Sequence, residues 1–192
     1  MKRVGFFERI IVAALVILAG AAVSTPALGQ EEAGQVTSLD LGFDTEQPGH
    51  EVIMPLILDL PEGVEVGTVV SQITFPTQQL SFAEVTAGLS AQAAGAEVTA
   101  VEGVDDQNPE NTVITVTVST GGGGAIPGGM LADLIFTISE DAFLEVSVTL
   151  ENTVSAFTTD DPPRPVEAIT GKAGEILVTA TPPVFACFFY MH

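Results

Sequence analysis

Hydrophobic side chains recur at every second position in several separate stretches of this chain. In one of them, residues 144–151, leucine and valine alternate with glutamate, serine and threonine. Successive side chains of a strand point to opposite faces, so this period of two predicts strands with one face on a core and the other towards water. The positions predicted to face the core are Val52, Met54, Leu56, Leu58, Leu60, Val69, Ile73, Phe75, Ile114, Val116, Val118, Met130, Ala132, Leu134, Phe136, Ile138, Leu144, Val146, Val148, Leu150, Ile176 and Val178.

Clusters of turn-forming residues separate these stretches. Glycine, proline, aspartate and asparagine supply the backbone conformations that sheets use at their turns. No long helical period competes with the alternation, and a parallel sheet would need helical crossovers. The pattern therefore predicts one all-β domain over residues 30–181, an antiparallel sandwich of seven to nine strands. The turn clusters lie at residues 61–63, 105–109, 121–124, 127–129 and 160–163.

Two places in this pattern need a local interpretation. Pro55 lies inside the first long stretch, and a proline has no N–H to give to a sheet ladder. We therefore expect that strand to lie at a sheet edge or to carry a bulge there. Residues 89–100 are rich in alanine and leave two alternatives open, a weak strand at about 96–101 or a short helical turn.

The N-terminus is typical of an export signal. Three basic residues precede an uninterrupted run of apolar and small residues at 10–23. A membrane-spanning helix needs roughly 20 apolar residues, and a short run after a basic start favours a secretory signal over an anchor. The small residues Ala27 and Gly29 place the cleavage site after Gly29. We expect a signal peptide over residues 1–29, and a protein that is secreted, extracellular or in the cell envelope; an uncleaved anchor is the alternative.

Acidic residues dominate the remaining chain and exclude two kinds of partner. The whole chain has 25 acidic and 5 basic residues. Removal of residues 1–29 takes away Glu8 and three of the basic residues, so 24 acidic residues face only Arg164 and Lys172, a net charge of −22. A field of this sign repels phosphate backbones and anionic lipid headgroups. Binding of nucleic acid or of a charged membrane surface is therefore not expected.

The residues needed for catalysis do not come together in this sequence. The two histidines, His50 and His192, belong to no arrangement of nucleophile, base and orienting group. No H-E-x-x-H motif or cysteine pair is present for a metal, and the glycine tract at 121–124 lacks the Gly-Lys-Ser/Thr ending of a phosphate loop. Acidic pairs such as Asp105-Asp106 are typical of solvated turns. We expect no enzymatic activity and no cofactor.

A loop rich in oxygen ligands is a weak candidate for calcium. Its spacing is not that of an EF-hand loop, because Pro109 interrupts it and the glycine bend is missing. An acidic turn is the simpler interpretation, and we predict no metal site. The candidate ligands are Asp105, Asp106, Asn108, Glu110 and Asn111.

An apolar tail follows the predicted domain at residues 182–192. It opens with two prolines, is too short to span a bilayer, and contains the single cysteine, Cys187. One thiol forms no intramolecular disulfide, although it leaves an intermolecular one open. A buried strand, a disordered end and an imperfect reading-frame terminus are equally compatible with the tail, whose role is unassigned.

Four stretches of the chain resemble one family. Residues 48–56 contain a glycine, then a valine, then a proline within the strand, and residues 75–88 follow the family's strand, turn and strand. Residues 129–138 match best, and residues 174–178 fit its closing strand. On these motifs the chain resembles a cohesin domain, the receptor module of cellulosome scaffolds. The resemblance covers about residues 36–180 and implies a nine-stranded jelly-roll-like sandwich, similar in fold to some carbohydrate-binding modules.

The same resemblance implies a mode of binding. Cohesins bind dockerins, which are calcium-loaded helical modules, through one flat sheet face. Thr115, Thr117 and Ser119 alternate with core residues and offer such a face, although their pattern also suits the solvated side of an ordinary strand. We therefore predict a non-catalytic module that docks a protein partner, such as a dockerin-bearing protein. The alternatives are a polysaccharide-binding module, which the shortage of aromatic residues disfavours, and a structural envelope or matrix protein.

Overall fold

The computed structural model describes residues 36–180 of the chain. They form two β-sheets and one short helix, α1 (Leu89–Ala94). The predicted signal peptide at 1–29 and the apolar tail at 182–192, with Cys187, lie outside the described residues. Within residues 36–180, no helix is long and apolar enough to cross a membrane.

One sheet has five strands, and its central strand is long and hydrophobic. Strand β3 (Glu51–Asp59) pairs on one side with β1 and on the other with β8, in both cases antiparallel. At one edge β10 pairs with β1 in parallel, and at the other β5 pairs with β8. In spatial order the strands are β10 (Ile169–Lys172), β1 (Thr37–Leu41), β3, β8 (Gly129–Ile138) and β5 (Leu80–Ala87).

The second sheet has six strands and packs against the first. Strand β4 (Thr68–Pro76) pairs with β7 along its whole length and with β9 over Thr68–Thr74. Strand β6 closes one edge, and β2 closes the other by pairing in parallel with β11. In spatial order the strands are β2 (Phe43–Glu46), β11 (Gly174–Val178), β9 (Val146–Phe157), β4, β7 (Asn111–Ser119) and β6 (Glu97–Val104).

The core lies between the two sheets and is built from alternate residues of the long strands. Phe136 of β8 is fully buried, and its ring makes edge-on contacts with Phe75 and Phe82 at centroid distances of 5.2 and 5.8 Å. The alternation therefore predicted most core positions correctly. The confirmed positions are Val52, Met54, Leu56, Leu58, Val69, Ile73, Phe75, Ile114, Val116, Val118, Ala132, Leu134, Phe136, Ile138, Val148, Leu150, Ile176 and Val178.

The sandwich is all-β as predicted, but residues 36–180 alone form eleven strands where nine were expected, and the sheets are mixed where antiparallel ones were expected. The additional strands arise because the chain changes sheet twice, at Gly42 between β1 and β2 and at Ala173 between β10 and β11. These crossing points lie together: a Cβ on Gly174 would be 2.7 Å from the Leu41 Cβ atom and 3.0 Å from the Gly42 carbonyl oxygen. Each sheet thereby gains one parallel pair.

The predicted core positions were wrong at three residues, and a fourth, Leu60, is only partly buried, although it packs against the core. Met130 is only half-buried, and Leu131 is fully buried in its place, because the register between β3 and β8 shifts at Leu56 and Ile57. Leu144 and Val146 are 49% and 42% exposed. Strand β9 begins only at Val146, after Glu145, which has a positive φ of 55°. Leu144 therefore lies before the strand, and Val146 is its exposed first residue.

Both local ambiguities are resolved by the structure. The strand of Pro55 is central, yet β1 stops pairing at Leu56, so Pro55 has a partner strand on one side only and the missing N–H is tolerated. The strand of Pro55 carries neither of the two predicted features: it is not an edge strand, and the register shift beside Leu56 and Ile57 comes from an extra residue on β8, Leu131. The alanine-rich stretch contains both alternatives in succession, the helix α1 and the strand β6.

Candidate interaction face

Four adjacent strands of the six-stranded sheet present one continuous surface away from the core. The register sets their outward residues in rows: Thr117 of β7 lies between Thr99 of β6 and Val70 of β4, and Ser155 of β9 continues the same row. We call this surface the outer face. It consists of Thr68, Val70, Gln72, Thr74, Thr99, Val101, Thr115, Thr117, Ser119, Thr153 and Ser155.

The structure brings the three predicted binding residues to this surface, with Thr115 and Thr117 in its inner rows and Ser119 in its first row. Thr115, Thr117 and Ser119 are half-buried on β7, while the alternating residues of that strand are buried in the core. Ser119 shares a hydrogen bond of 2.8 Å with the Thr68 hydroxyl on the neighbouring strand. The residues lie on a pleated surface between two neighbouring strands and form part of a face. Thr115 also lines an open hollow of about 380 Å³ at one end of that face, together with Gln72 and Val101.

Short, uncharged side chains make up the outer face. Most are hydroxylated or β-branched, and the apolar Val101 is 67% exposed. Carboxylates stand at its limits, with Glu97 beside Ser119 in the first row and Glu151 beside Thr74 in the last. Such a surface gives a partner methyl groups to pack against and hydroxyl groups that both donate and accept hydrogen bonds.

Neither basic side chain of the described region is part of this face. Lys172 on β10, in the other sheet, pairs with Asp40 at 2.6 Å, and Arg164 lies in the loop after β9, 3.7 Å from Asp160. The outer face therefore has no positive charge of its own. Its uncharged centre is set in a strongly acidic protein, which favours a partner with basic residues around its contact surface.

The calcium candidates form a turn between β6 and β7. The Asp105 carboxylate accepts a hydrogen bond from the Gln107 backbone N–H, and the Asn108 side chain accepts one from the Glu110 N–H. These side chains cap their own loop. Across residues 36–180 there is no group of three or more His, Cys, Asp or Glu side chains arranged to hold a metal ion.

His50 is exposed, and His192 lies outside the described residues. The His50 Nδ1 atom is 3.8 Å from the Glu46 carboxylate, at the turn before β3. A pair of this kind at the surface contributes little to stability.

Sequence reasoning missed most of the outer face. Val70, Gln72, Thr99 and Val101 flank the predicted residues, but they lie 14 to 47 positions away from Thr117 or Thr115 along the chain. The alternation in β4 predicts that Val70 and Gln72 point away from the core. It does not indicate which strand lies beside β4, so their place next to β7 required the sheet topology.

The fold was compared with those of known proteins. No protein-family model matches the chain, and no curated protein sequence matches it. Solved structures do match. The third cohesin of ScaC from Acetivibrio cellulolyticus, solved with the ScaB dockerin, gives a TM-score of 0.61 at 16% identity, covering 76% of this chain and 100% of that one.

Two further structures agree with it. The sixth cohesin of scaffoldin B from the same organism, solved in complex with a dockerin, gives a TM-score of 0.60 at 16% identity and covers 74% of this chain and 99% of that one. A non-cellulosomal cohesin from the archaeon Archaeoglobus fulgidus gives 0.56 at 16% identity, with 76% and 92% covered. The chain thus has the cohesin fold, and the resemblance predicted from the sequence is confirmed at the level of the fold.

Proposed function

We propose that this protein is an exported, non-catalytic docking module that binds a protein partner on the outer face of its six-stranded sheet. The observation that carries the proposal is the outer face itself, an uncharged patch of short side chains that spans four strands of a strongly acidic protein. Among proteins of this fold, the two Acetivibrio cohesins were solved with dockerins bound. A dockerin-bearing protein is therefore the partner that we propose for this chain.

The size of the outer face suits this role. Four strands spaced about 4.8 Å apart and four rows of outward residues spaced about 6.7 Å apart give a projected area of roughly 500 Å². Side-chain relief adds to the accessible area, and a stable protein–protein interface buries about 800 Å² on each partner. The face thus supplies a large part of such a contact, and residues at its margins have to supply the rest.

The partner has to supply most of the anchoring side chains. Binding hot spots are enriched in tryptophan, tyrosine and arginine, and the outer face contains none of them. Threonine and valine lose little side-chain entropy on binding, so the face acts as a rigid receiving surface. We expect the partner to place long or basic side chains across it.

The test is direct binding of the purified protein to dockerin-bearing proteins encoded in the same genome, measured by calorimetry. Thr117→Arg puts a long charged side chain in the centre of the face, and we expect affinity to fall about tenfold or more, or about 1.4 kcal/mol. Thr137→Arg is the matched control, since Thr137 is a half-buried, outward threonine on the other sheet.

Two results would contradict the proposal. One is an equal loss of affinity in both variants, which would place the contact elsewhere. The other is retention of the protein on insoluble cellulose or chitin with no protein partner bound, which would favour the polysaccharide-binding alternative.

A further inference from the structure

A cleft opens in the six-stranded sheet where β4 and β9 diverge. The two strands pair only as far as Thr74 and Glu151, and the first five residues of β9, 146–150, pair with β11 instead. Between the end of β4 and the start of β9 lies a cavity of about 350 Å³. This volume falls within the range of about 300–1,000 Å³ that is usual for ligand pockets. The cleft is therefore large enough to hold one bulky side chain and the main chain beside it.

The start of β9 leaves one of its backbone edges open to this cleft. Within residues 36–180, residues 146–150 have a partner strand on the β11 side only. In an antiparallel ladder, alternate residues direct their N–H and C=O groups to opposite sides. Part of this backbone therefore points away from β11 and towards the end of β4. An open strand edge of this kind is a template for pairing with another extended chain.

Apolar side chains stand on both sides of the cleft. Phe75 and Pro76 line it on the β4 side, and Phe143 and Val146 line it at the start of β9. Phe143 is 64% exposed, which is unusual for an aromatic side chain without a polar group. A bulky apolar side chain placed in the cleft would cover this surface, and removal of apolar surface from water is favourable.

A buried glutamine provides a fixed polar group in the cleft. The Gln79 side chain lines the cleft and is only 9% exposed. Its Oε1 atom accepts a 3.1 Å hydrogen bond from the Phe143 backbone N–H, which fixes the orientation of the amide because a backbone N–H can only donate. Its Nε2 atom makes no hydrogen bond within residues 36–180. A buried donor without an acceptor costs free energy, so this group favours a ligand that brings a carbonyl oxygen into the cleft.

The charge of the protein narrows the choice of ligand. Among the described residues, Glu151 is the single charged one that lines the cleft. The whole chain carries 25 acidic residues against 5 basic ones. An acidic peptide would be repelled by this field, whereas a basic one would be attracted. The favoured ligand is therefore uncharged or basic.

We propose that the cleft binds an extended peptide segment of a partner protein by adding it as a strand to the open edge of β9. Residues 146–150 exchange main-chain hydrogen bonds with the segment, and the Gln79 amide donates to one of its carbonyl groups. A bulky apolar side chain of the segment enters between Pro76 and Phe143, and basic residues flank it. This mode of binding differs from the receipt of a helical module on the outer face. It does not depend on the proposed function, and it holds or fails whether or not a dockerin binds.

A peptide that contains tryptophan is a suitable probe, because the chain has no tryptophan of its own. The probe is Lys-Thr-Thr-Trp-Thr-Thr-Lys with an acetylated N-terminus and an amidated C-terminus, added to the purified full-length protein. On binding, we expect the tryptophan emission to shift to shorter wavelength as the indole leaves water. The backbone amide NMR signals of residues 146–150 and the side-chain amide signal of Gln79 should move. Signals of α1, which does not line the cleft, should stay in place.

A control probe separates strand addition from simple burial of the indole. It has the same sequence and charge, but the two adjacent threonines before the tryptophan carry N-methyl groups. Because alternate residues face the neighbouring strand, at least one of the two lost N–H donors is needed for pairing with β9. We expect the affinity to fall about tenfold or more. A second control, with glutamate in place of both lysines, should also bind more weakly because it meets like charge.

Phe143→Ser is the decisive variant of the protein, with Leu89→Ser as its matched control. Leu89 is 71% exposed and lies on α1, outside the cleft. Both variants should fold, since both replace exposed side chains. We expect Phe143→Ser to weaken binding of the probe roughly tenfold, because an aromatic contact is lost. Leu89→Ser should bind the probe as the unaltered protein does.

Four outcomes would overturn the inference. One is a probe that leaves the signals of residues 146–150 in place even at about 1 mM. Another is equal affinity for the N-methylated probe, which would show that the indole binds without strand addition. The third is equal affinity of Phe143→Ser and the unaltered protein for the probe. The last is a dimer of the protein alone, seen by light scattering and lost in Phe143→Ser, since the open edge would then pair with a second copy.

Discussion

At the scale of single residues, one asparagine joins the two sheets. Asn152 of β9 interrupts a run of inward apolar residues, and its amide nitrogen donates a 2.8 Å hydrogen bond to the Leu39 carbonyl oxygen in the opposite sheet. Its carbonyl oxygen accepts a 2.7 Å hydrogen bond from the buried Ser71. The alternation marks position 152 as inward, but the sequence does not reveal which groups its amide satisfies.

We expect Asn152→Ala to destabilise the domain by roughly 1–3 kcal/mol, because the Leu39 carbonyl and the Ser71 hydroxyl would both lose a partner away from water. Thr153→Ala, at the exposed neighbouring position, should change stability by less than about 0.5 kcal/mol. Urea unfolding of the purified variants measures both. Equal midpoints for the two would show that the cross-sheet hydrogen bonds contribute nothing.

At the scale of elements, the β3–β8 pair shows how a bulge changes the faces of a strand. The register shift at Leu56 and Ile57 pairs Ile57 with Met130, so Leu131 turns into the core. An uninterrupted alternation assigns the opposite faces to Met130 and Leu131. A one-residue shift exchanges the two faces of a strand because the side-chain period is two.

Paired alanine substitutions test this register. Leu131→Ala should cost about 2–5 kcal/mol, since it removes a fully buried side chain and leaves a cavity. Met130→Ala should cost less than about 1 kcal/mol, since that residue is half-buried on the outward side. The free energies of unfolding, taken from denaturant titration, give the comparison. If Met130→Ala lost more free energy of unfolding than Leu131→Ala, Met130 rather than Leu131 would face the core, as the simple alternation predicts.

At the scale of the whole molecule, the acidity and the proposed export signal both fit our proposal that the protein is exported. A net charge of −22 after removal of residues 1–29 keeps a protein soluble and separate from its own copies. The outer face differs from the rest of this acidic protein, because its side chains are uncharged. Docking on that face and export from the cell are both proposals for this protein, and they are tested independently.

Export gives a prediction about the covalent chain. Protein recovered from the culture medium of its native host should begin at Gln30, because Ala27 and Gly29 supply the small residues of a processing site. Intact-mass measurement with N-terminal sequencing identifies this end. Replacement of Gly29 by a bulky residue such as leucine should slow processing and leave the longer form. Full-length protein retained in the cytoplasm of the unaltered strain would refute the prediction.

The sequence by itself determined that the domain is built from strands, where most turns lie, and which side of most strands faces the core, because alternation is a local property of the chain. It also determined the uncharged character of β7. Only the tertiary structure decided the eleven strands, the two changes of sheet, the neighbours of Thr117 and the cleft beside Phe143. These depend on which strands pair, as β4 does with β7 and β9 across dozens of residues, and such pairing comes from the packing of the whole domain rather than from any one stretch.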